Sequence, residues 1–112
     1  MSAHTEARLW VAQRLTAAIL ALGVAVHLAT IIYAVRGGLS AAEILARTRG
    51  SMAWAAFYGT FVIAAAVHGT IGLRTVASEW LGLRGRKTQL VLALVAGLLM
   101  ALGLRAVVAV VA

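Results

Sequence analysis

The stretch that decides the fold is Leu15–Val35, LTAAILALGVAVHLATIIYAV, which carries no formal charge when histidine is counted as neutral. A helix needs about 20 apolar residues to cross a hydrocarbon layer about 30 Å thick, and this stretch has that length. A second uncharged stretch covers Met52–Leu73, and a third apolar stretch begins near Thr88 and is interrupted by Arg105. No strand-like alternation is present. The sequence therefore predicts an all-α integral membrane protein with three transmembrane helices in an up-down bundle.

The composition agrees with a membrane location. Of the 112 residues, 63% are apolar and 12% are charged, against roughly 45–50% and about 25% in a soluble domain. A chain of this length cannot bury so much apolar surface by itself, so lipid must cover most of it. We expect one membrane-anchor domain over residues 1–112, with spans at about 10–35, 52–79 and 88–112. The absence of cysteine excludes thiolate metal sites and cysteine-ligated iron–sulfur clusters.

The loops set the predicted orientation. Basic residues are more numerous beside the N-terminus and in the second loop than in the first loop, so the positive-inside rule puts the N-terminus in the cytoplasm. The cytoplasmic set is Arg8, Arg14, Arg74, Arg84, Arg86 and Lys87, and the opposite set is Arg36, Arg47 and Arg49. Because these charges flank apolar stretches and form no single patch, we expect no nucleic-acid partner.

The first loop has its own predicted structure. Gly37 and Gly38 end the first span, because glycine is typical of helix C-termini. Ser40 and Glu43 then have the spacing of a capping box, in which each side chain accepts a hydrogen bond from the other's backbone. This pattern predicts a short amphipathic helix that runs through about Arg47 and lies at the membrane surface.

Two histidines lie inside the predicted spans, where an ionisable residue marks a functional site by default. His27 follows Gly23 by four residues and His68 precedes Gly72 by four, on helix faces rich in small and polar residues. An imidazole beside a glycine suits a haem, because the nitrogen reaches the iron while the glycine lets the ring edge approach the backbone. Thr30 is a candidate to hold the other imidazole nitrogen. Ordinary helix packing uses the same residue types, so that alternative stays open.

The depth of each histidine is estimated from the polar residues at the cytoplasmic ends of the spans. His27 lies about 20 Å from Arg14 along a helix, and His68 lies about 16 Å from Glu79. We therefore expect both histidines at a similar depth near the middle of the membrane. Either one haem bridges them within the chain, or each pairs with a histidine of another subunit.

A second polar group lies at the cytoplasmic ends of the first two spans and consists of Gln13, Arg14, Thr16, Glu79 and Trp80. Guanidinium, hydroxyl and indole groups donate hydrogen bonds to quinone carbonyls, and a carboxylate relays protons. Arginine and tryptophan are also common at membrane interfaces. A quinone site and a simple interfacial anchor are therefore both open at this point.

The segment His68–Trp80, HGTIGLRTVASEW, resembles the haem-ligand segment of the cytochrome b membrane anchors of succinate dehydrogenase and fumarate reductase. In those anchors a glycine follows the histidine by four residues, often with an arginine two further on, and an acid follows the histidine by eleven. The segment Gln13–Ala17, QRLTA, is similar to the Arg-x-Ser/Thr-Gly/Ala start of the same anchors. Two departures stand out: Glu79-Trp80 replaces a common Asp-Tyr, and Thr16-Ala17 replaces the commoner Ser-Gly.

The resemblance implies a haem b-binding anchor of a succinate:quinone oxidoreductase or quinol:fumarate reductase in a bacterial inner membrane. It implies His68 as an axial ligand, while His27 resembles the multi-haem anchors and either ligates a second haem or takes no part in ligation. We expect Gly23, Thr30 and Gly72 in the haem pocket. The resemblance implies Arg14, Thr16 and Glu79 at a site for ubiquinone or menaquinone, and we expect Trp80 beside them.

The partners implied are a flavoprotein subunit, an iron–sulfur subunit, the lipid bilayer, and either a second anchor subunit or another copy of this chain. We expect no catalytic residue for the dicarboxylate step in this chain, which would be a non-catalytic subunit of the complex. A haem-free structural anchor and a small transporter or channel subunit are the alternative functions.

Overall fold

The computed structural model describes residues 2–112, and in that range the chain is all-helical. The helices are α1 (Ala3–Arg36), α2 (Ala41–Thr48), α3 (Met52–Glu79) and α4 (Arg86–Val111). α1, α3 and α4 are each long and apolar enough to cross a membrane. α3 packs against both α1 and α4, as expected of an up-down bundle. These observations confirm the predicted fold class.

The ends of α1 and α2 lie where the sequence indicates. α1 ends at Arg36, and Gly38 has a φ of +62°, a backbone conformation that favours glycine. The Ser40 hydroxyl accepts a hydrogen bond from the Glu43 backbone, and the Glu43 carboxylate accepts one from the Ser40 backbone at 2.8 Å. The predicted capping box is therefore confirmed, and α2 is the predicted short helix of the first loop.

α2 is fastened to the C-terminal end of α4. The Thr48 hydroxyl donates to the carbonyl of Val110 at 2.6 Å, and the Gly50 backbone N–H donates to the carbonyl of Val111 at 2.9 Å. The last carbonyls of a helix have no partner within that helix, so these bonds satisfy two of them. Because α2 also begins a few residues after α1 ends, it bridges the ends of α1 and α4 at the membrane face opposite the N-terminus.

The chain has almost no apolar interior of its own. Within residues 2–112, the apolar residues that are buried are Ala64 and Ala66, both on α3. Large apolar side chains point outward instead, such as Leu22, which is 72% exposed, and Leu94, which is 74% exposed. Each buried leucine is worth about 1.5–3 kcal/mol, so water would be an unfavourable solvent for these surfaces. The chain is therefore an integral membrane protein, whose apolar surface lies outside the reach of water.

Gly23 and Gly103 let the long helices approach closely. Phe61 of α3 lies directly on Gly23 of α1, and Val62 of α3 lies directly on Gly103 of α4. A side chain at either glycine would overlap the neighbouring ring or methyl group. Small residues at helix contacts are typical of packing between transmembrane helices, where van der Waals contact replaces the hydrophobic effect.

Gly103→Ala should weaken the contact between α3 and α4, whereas Gly97→Ala should not. A Cβ at Gly103 overlaps Val62, whose branched side chain has one strongly preferred rotamer in a helix and cannot turn away. Overpacking of this kind costs about 1–3 kcal/mol. In the part of the chain that the structure describes, a Cβ at Gly97 meets no atom within 4 Å apart from its chain neighbours and the backbone of its own helix. Alanine there therefore adds helix propensity without a clash.

Thermal unfolding in detergent checks this pair of variants. We expect a lower melting temperature for Gly103→Ala and an equal or higher one for Gly97→Ala. Equal losses in both variants would contradict the packing of Val62 on Gly103.

Candidate functional site

His68 lies where α3 meets α1, and its imidazole contacts Thr16. His68 Nδ1 is 3.3 Å from Thr16 Oγ1, and Thr16 is buried, with 8% of its surface exposed. The Thr16 hydroxyl has a single proton, which it donates to the carbonyl of Ala12 at 2.7 Å. A lone pair of this oxygen is therefore left to accept a hydrogen bond from the Nδ1–H of His68. This arrangement favours the tautomer whose lone pair is on Nε2, so that this nitrogen can bind a metal ion.

The surroundings of His68 fit an axial ligand of haem iron. Such a ligand needs one imidazole nitrogen held by the protein and the other available to the metal. Thr16 holds the Nδ1 atom of His68, and the favoured tautomer leaves the lone pair of Nε2 available to the metal. The Thr30 hydroxyl donates to the backbone carbonyl of His27 at 2.7 Å, and its expected role in holding an imidazole nitrogen stays a prediction.

His27 lies near the other end of the α1–α3 pair, among aromatic rings. Its ring centroid is 5.7 Å from that of Tyr58 and 6.0 Å from that of Phe61, both in edge-on contacts. Phe61 also covers Gly23, so a ring of this chain fills the space that the glycine was expected to leave for the edge of a haem. The roles of His27 as a second axial ligand and of Gly23 as a pocket residue stay predictions.

His27 and His68 do not lie at a similar depth, so that prediction is wrong. His68 lies beside Thr16, and Thr16 precedes His27 by eleven residues, which is about 16 Å along α1. One iron atom cannot bind both imidazoles across that distance. The sequence left open one haem bridging both histidines or pairing of each with a histidine of another subunit. The different depths of His27 and His68 are compatible only with the second of these two arrangements.

Arg14 and Glu79 do not lie at the same depth, which is why the predicted depth of His68 differs from the observed one. Glu79 lines a cavity together with Glu6, and Glu6 lies about 12 Å from Arg14 along α1. The C-terminal end of α3 therefore extends beside the first turns of α1. Counting residues inward from Glu79 placed His68 too close to the level of His27.

Gln13 is a polar residue whose importance the sequence indicated only by its position beside Arg14 and Thr16. Its amide faces Gly72 on α3, where a Cβ would lie 3.6 Å from Gln13 Nε2. Its Oε1 is buried and has no hydrogen-bond partner among residues 2–112. Because buried acceptors are nearly always paired, this oxygen is a candidate contact for a bound group. The predicted pocket role of Gly72 is neither supported nor excluded by this contact.

Glu79 lines a polar cavity of about 420 Å³ between the start of α1, the end of α3 and the start of α4. Other lining residues offer hydroxyl, amide and guanidinium groups, namely Thr75, Ser78, Arg84 and Gln89. Arg74 and Glu6, which also line it, form an ion pair at 3.5 Å. The volume is typical of small-molecule sites. The Thr75 and Ser78 hydroxyls donate to backbone carbonyls of α3, so the guanidinium and amide groups are the donors for a ligand. Such donors beside a carboxylate suit a ligand that has carbonyl oxygens and exchanges protons.

The remaining predicted quinone residues do not join Glu79 in this cavity within the described part of the chain. The Arg14 guanidinium lies 5.2 Å from the centre of the Trp10 ring. Trp80 is 81% exposed at the end of α3. Arg14 and Thr16 are near the level of His68, whereas Glu79 is about 16 Å from His68 along α3. The quinone-binding roles of all four residues stay predictions.

Comparison with known protein families agrees with this architecture. The family model described as the succinate dehydrogenase/fumarate reductase transmembrane subunit matches residues 1–109. No curated protein and no solved structure gives a significant match. The family match covers nearly the whole chain, including the three long apolar helices and the segment His68–Trp80. The chain therefore belongs to the family of succinate dehydrogenase/fumarate reductase transmembrane subunits.

Proposed function

We propose that this chain is the haem b-binding membrane anchor of a succinate:quinone oxidoreductase or quinol:fumarate reductase. The observation that carries the proposal is the contact of His68 with Thr16 in a member of this family. Thr16 holds Nδ1 and thereby leaves Nε2 as the iron ligand. When bound, haem b supplies a one-electron redox centre between an iron–sulfur subunit and membrane quinone. The chain itself positions that centre and anchors the complex in the bilayer.

The remaining axial position would be filled from outside this chain. His27 is about 16 Å from the level of His68 along α1, too far to serve the same iron. We therefore infer that a second anchor subunit or another copy of this chain faces His68. His27 would then serve a second haem or none.

The flavoprotein and iron–sulfur subunits would dock on the face that carries the N-terminus. In the second loop and the first turn of α4, Arg84, Arg86 and Lys87 are exposed, and such a basic surface attracts an acidic partner or anionic lipid headgroups. The excess of basic residues on this face supports a cytoplasmic orientation in a bacterial inner membrane. Because the sequence contains no cysteine, the clusters that deliver electrons must belong to a partner.

Purification of the assembly through this chain in mild detergent tests the proposal. We expect a flavoprotein and an iron–sulfur protein among the partners identified by mass spectrometry. We also expect a dithionite-reduced α-band of low-spin, bis-histidine haem. A complete complex without haem would instead show a haem-free structural anchor. Ion flux through the isolated chain in proteoliposomes, without those partners, would indicate a transporter or channel subunit.

For the quinone, Glu79 is the candidate for proton transfer, because the other carboxylate of the cavity, Glu6, is ion-paired with Arg74. Its position beside guanidinium and amide donors supports a role beside ubiquinone or menaquinone. Glu79→Gln keeps the shape and removes the proton-transfer group, so quinone reduction by the complex should fall by about 100-fold. The haem spectrum should be unchanged, since His68 lies elsewhere on α3.

Glu43→Gln is the matched control for this variant. Glu43 is a carboxylate at the opposite membrane face, and glutamine can replace it in a capping box. Quinone reduction should therefore be unaffected in Glu43→Gln. Equal rates in Glu79→Gln and Glu43→Gln would remove Glu79 from the proposed quinone site.

A further inference from the structure

A large apolar cleft lies between α1 and α4 at the membrane face opposite the N-terminus. Its volume is about 770 Å³. α3 forms its back through Tyr58 and Val62, while Ile44 and Thr48 of α2 line it at the membrane face. The lining part of α1 runs from Val26 to Ala34, which gives the cleft a depth of about 12 Å. Neither His68 nor Glu79 lines this cleft, whereas His27 and Thr30 do.

The position of α2 limits what can occupy the cleft. α2 starts beside the end of α1, and Thr48 at its other end is bonded to the carbonyl of Val110 on α4. It therefore lies across the end of the cleft. A transmembrane helix of a partner would have to continue through the membrane face and would meet α2. An occupant that enters from the side and ends beneath α2, such as an acyl chain, fits this shape.

The charge at the mouth of the cleft indicates the headgroup. Arg47 of α2 lines the cleft, and its guanidinium lies 5.7 Å from the centre of the Tyr33 ring. The nearest carboxylate along α2 is that of Glu43, which is engaged with the Ser40 backbone. Among residues 2–112, no carboxylate forms an ion pair with Arg47. A positive charge beside an apolar cleft at the membrane face complements a lipid phosphate.

We propose that this cleft binds an anionic phospholipid from the leaflet on that face. The phosphate would be held by Arg47 and the exposed Tyr33 hydroxyl, and an acyl chain would lie between α1 and α4 beneath α2. The inference needs only the membrane location of the chain and is independent of the roles proposed for His68 and Glu79. It competes with a second haem at His27, because His27 lines the same cleft. A site of this kind would fill the gap between α1 and α4 that α3 leaves open.

Native mass spectrometry of the purified, delipidated complex tests the site. The probes are phosphatidylglycerol and phosphatidylcholine, each titrated into wild-type complex and into Arg47→Gln. We expect Arg47→Gln to lower phosphatidylglycerol binding about fivefold, the effect of one arginine near an anionic lipid, and to leave phosphatidylcholine binding unchanged. Arg47→Lys should restore most of the binding.

Matched variants separate this site from general surface charge. Arg49→Gln removes a neighbouring charge that does not line the cleft and should leave phosphatidylglycerol binding intact. Ala106→Phe fills the cleft and should reduce the binding of both lipids, whereas Ala101→Phe lies outside it and should not. Equal losses in Arg47→Gln and Arg49→Gln would overturn the proposal. So would retention of lipid in Ala106→Phe, or recovery of a haem, a quinone or a partner helix in the cleft in place of lipid.

Discussion

His68→Ala is expected to abolish the reduced haem b absorption of the complex purified through this chain. The variant removes the nitrogen that binds iron, and no nearby residue on α1 replaces it, since the neighbour of His68 is the hydroxyl of Thr16. The loss of one hydrogen bond costs only about 1 kcal/mol, so the packing of α1 on α3 should survive. The measurement is the reduced-minus-oxidised difference spectrum, normalised to the amount of chain.

Two other histidines provide the controls for this variant. His4 lies in the first turn of α1 and is exposed, so His4→Ala should keep the full spectrum. His27→Ala should keep the absorption that depends on His68, because the two levels are about 16 Å apart. If haem is lost in His27→Ala and retained in His68→Ala, the assignment of the ligand is wrong.

The helices of this chain could be predicted because each depends on local sequence. An uncharged run such as Leu15–Val35 is long enough to span a membrane whatever it packs against. The capping box of Ser40 and Glu43 depends on residues three apart, and it defines the start of α2 directly. Neither feature requires knowledge of a neighbouring helix.

The register between the helices could not be predicted in the same way. It depends on contacts such as Phe61 on Gly23 and Val62 on Gly103, which join distant parts of the chain. The positions of charged residues do not give the depth of a helix in the membrane, because a long arginine side chain can reach the interface from well inside a helix. Arg14 is such a residue, since α1 begins at Ala3.

The sequence therefore indicated which residues are candidates for the site, but not which of them contact each other. His68 was a candidate because an ionisable residue within a membrane span is energetically costly and usually has a function. Its partner, Thr16, was assigned to quinone, because the sequence gives no sign that residues so far apart meet. The lipid cleft at Arg47 depends in the same way on where α2 ends relative to α4.

Thr16→Val is expected to raise the midpoint potential of the haem by about 40 mV, which corresponds to roughly 1 kcal/mol for one electron. Valine has the shape of threonine but cannot accept the hydrogen bond from Nδ1–H of His68. This bond makes the imidazole a stronger donor and thereby stabilises the oxidised iron. Its loss should also lower haem retention by about 10- to 100-fold in affinity. Redox titration followed by the α-band measures both effects.

Thr16→Ser should behave as wild type, because serine retains the hydroxyl. Thr70→Val is the control for a merely structural effect, since the Thr70 hydroxyl bonds within its own helix, to the carbonyl of Ala66 at 2.7 Å. A wild-type complex without haem would defeat the proposed function itself. A haem whose potential is the same in Thr16→Val, combined with a raised KM for quinone, would instead make Thr16 a quinone ligand. Only a shifted potential that serine restores identifies Thr16 as the residue that positions His68.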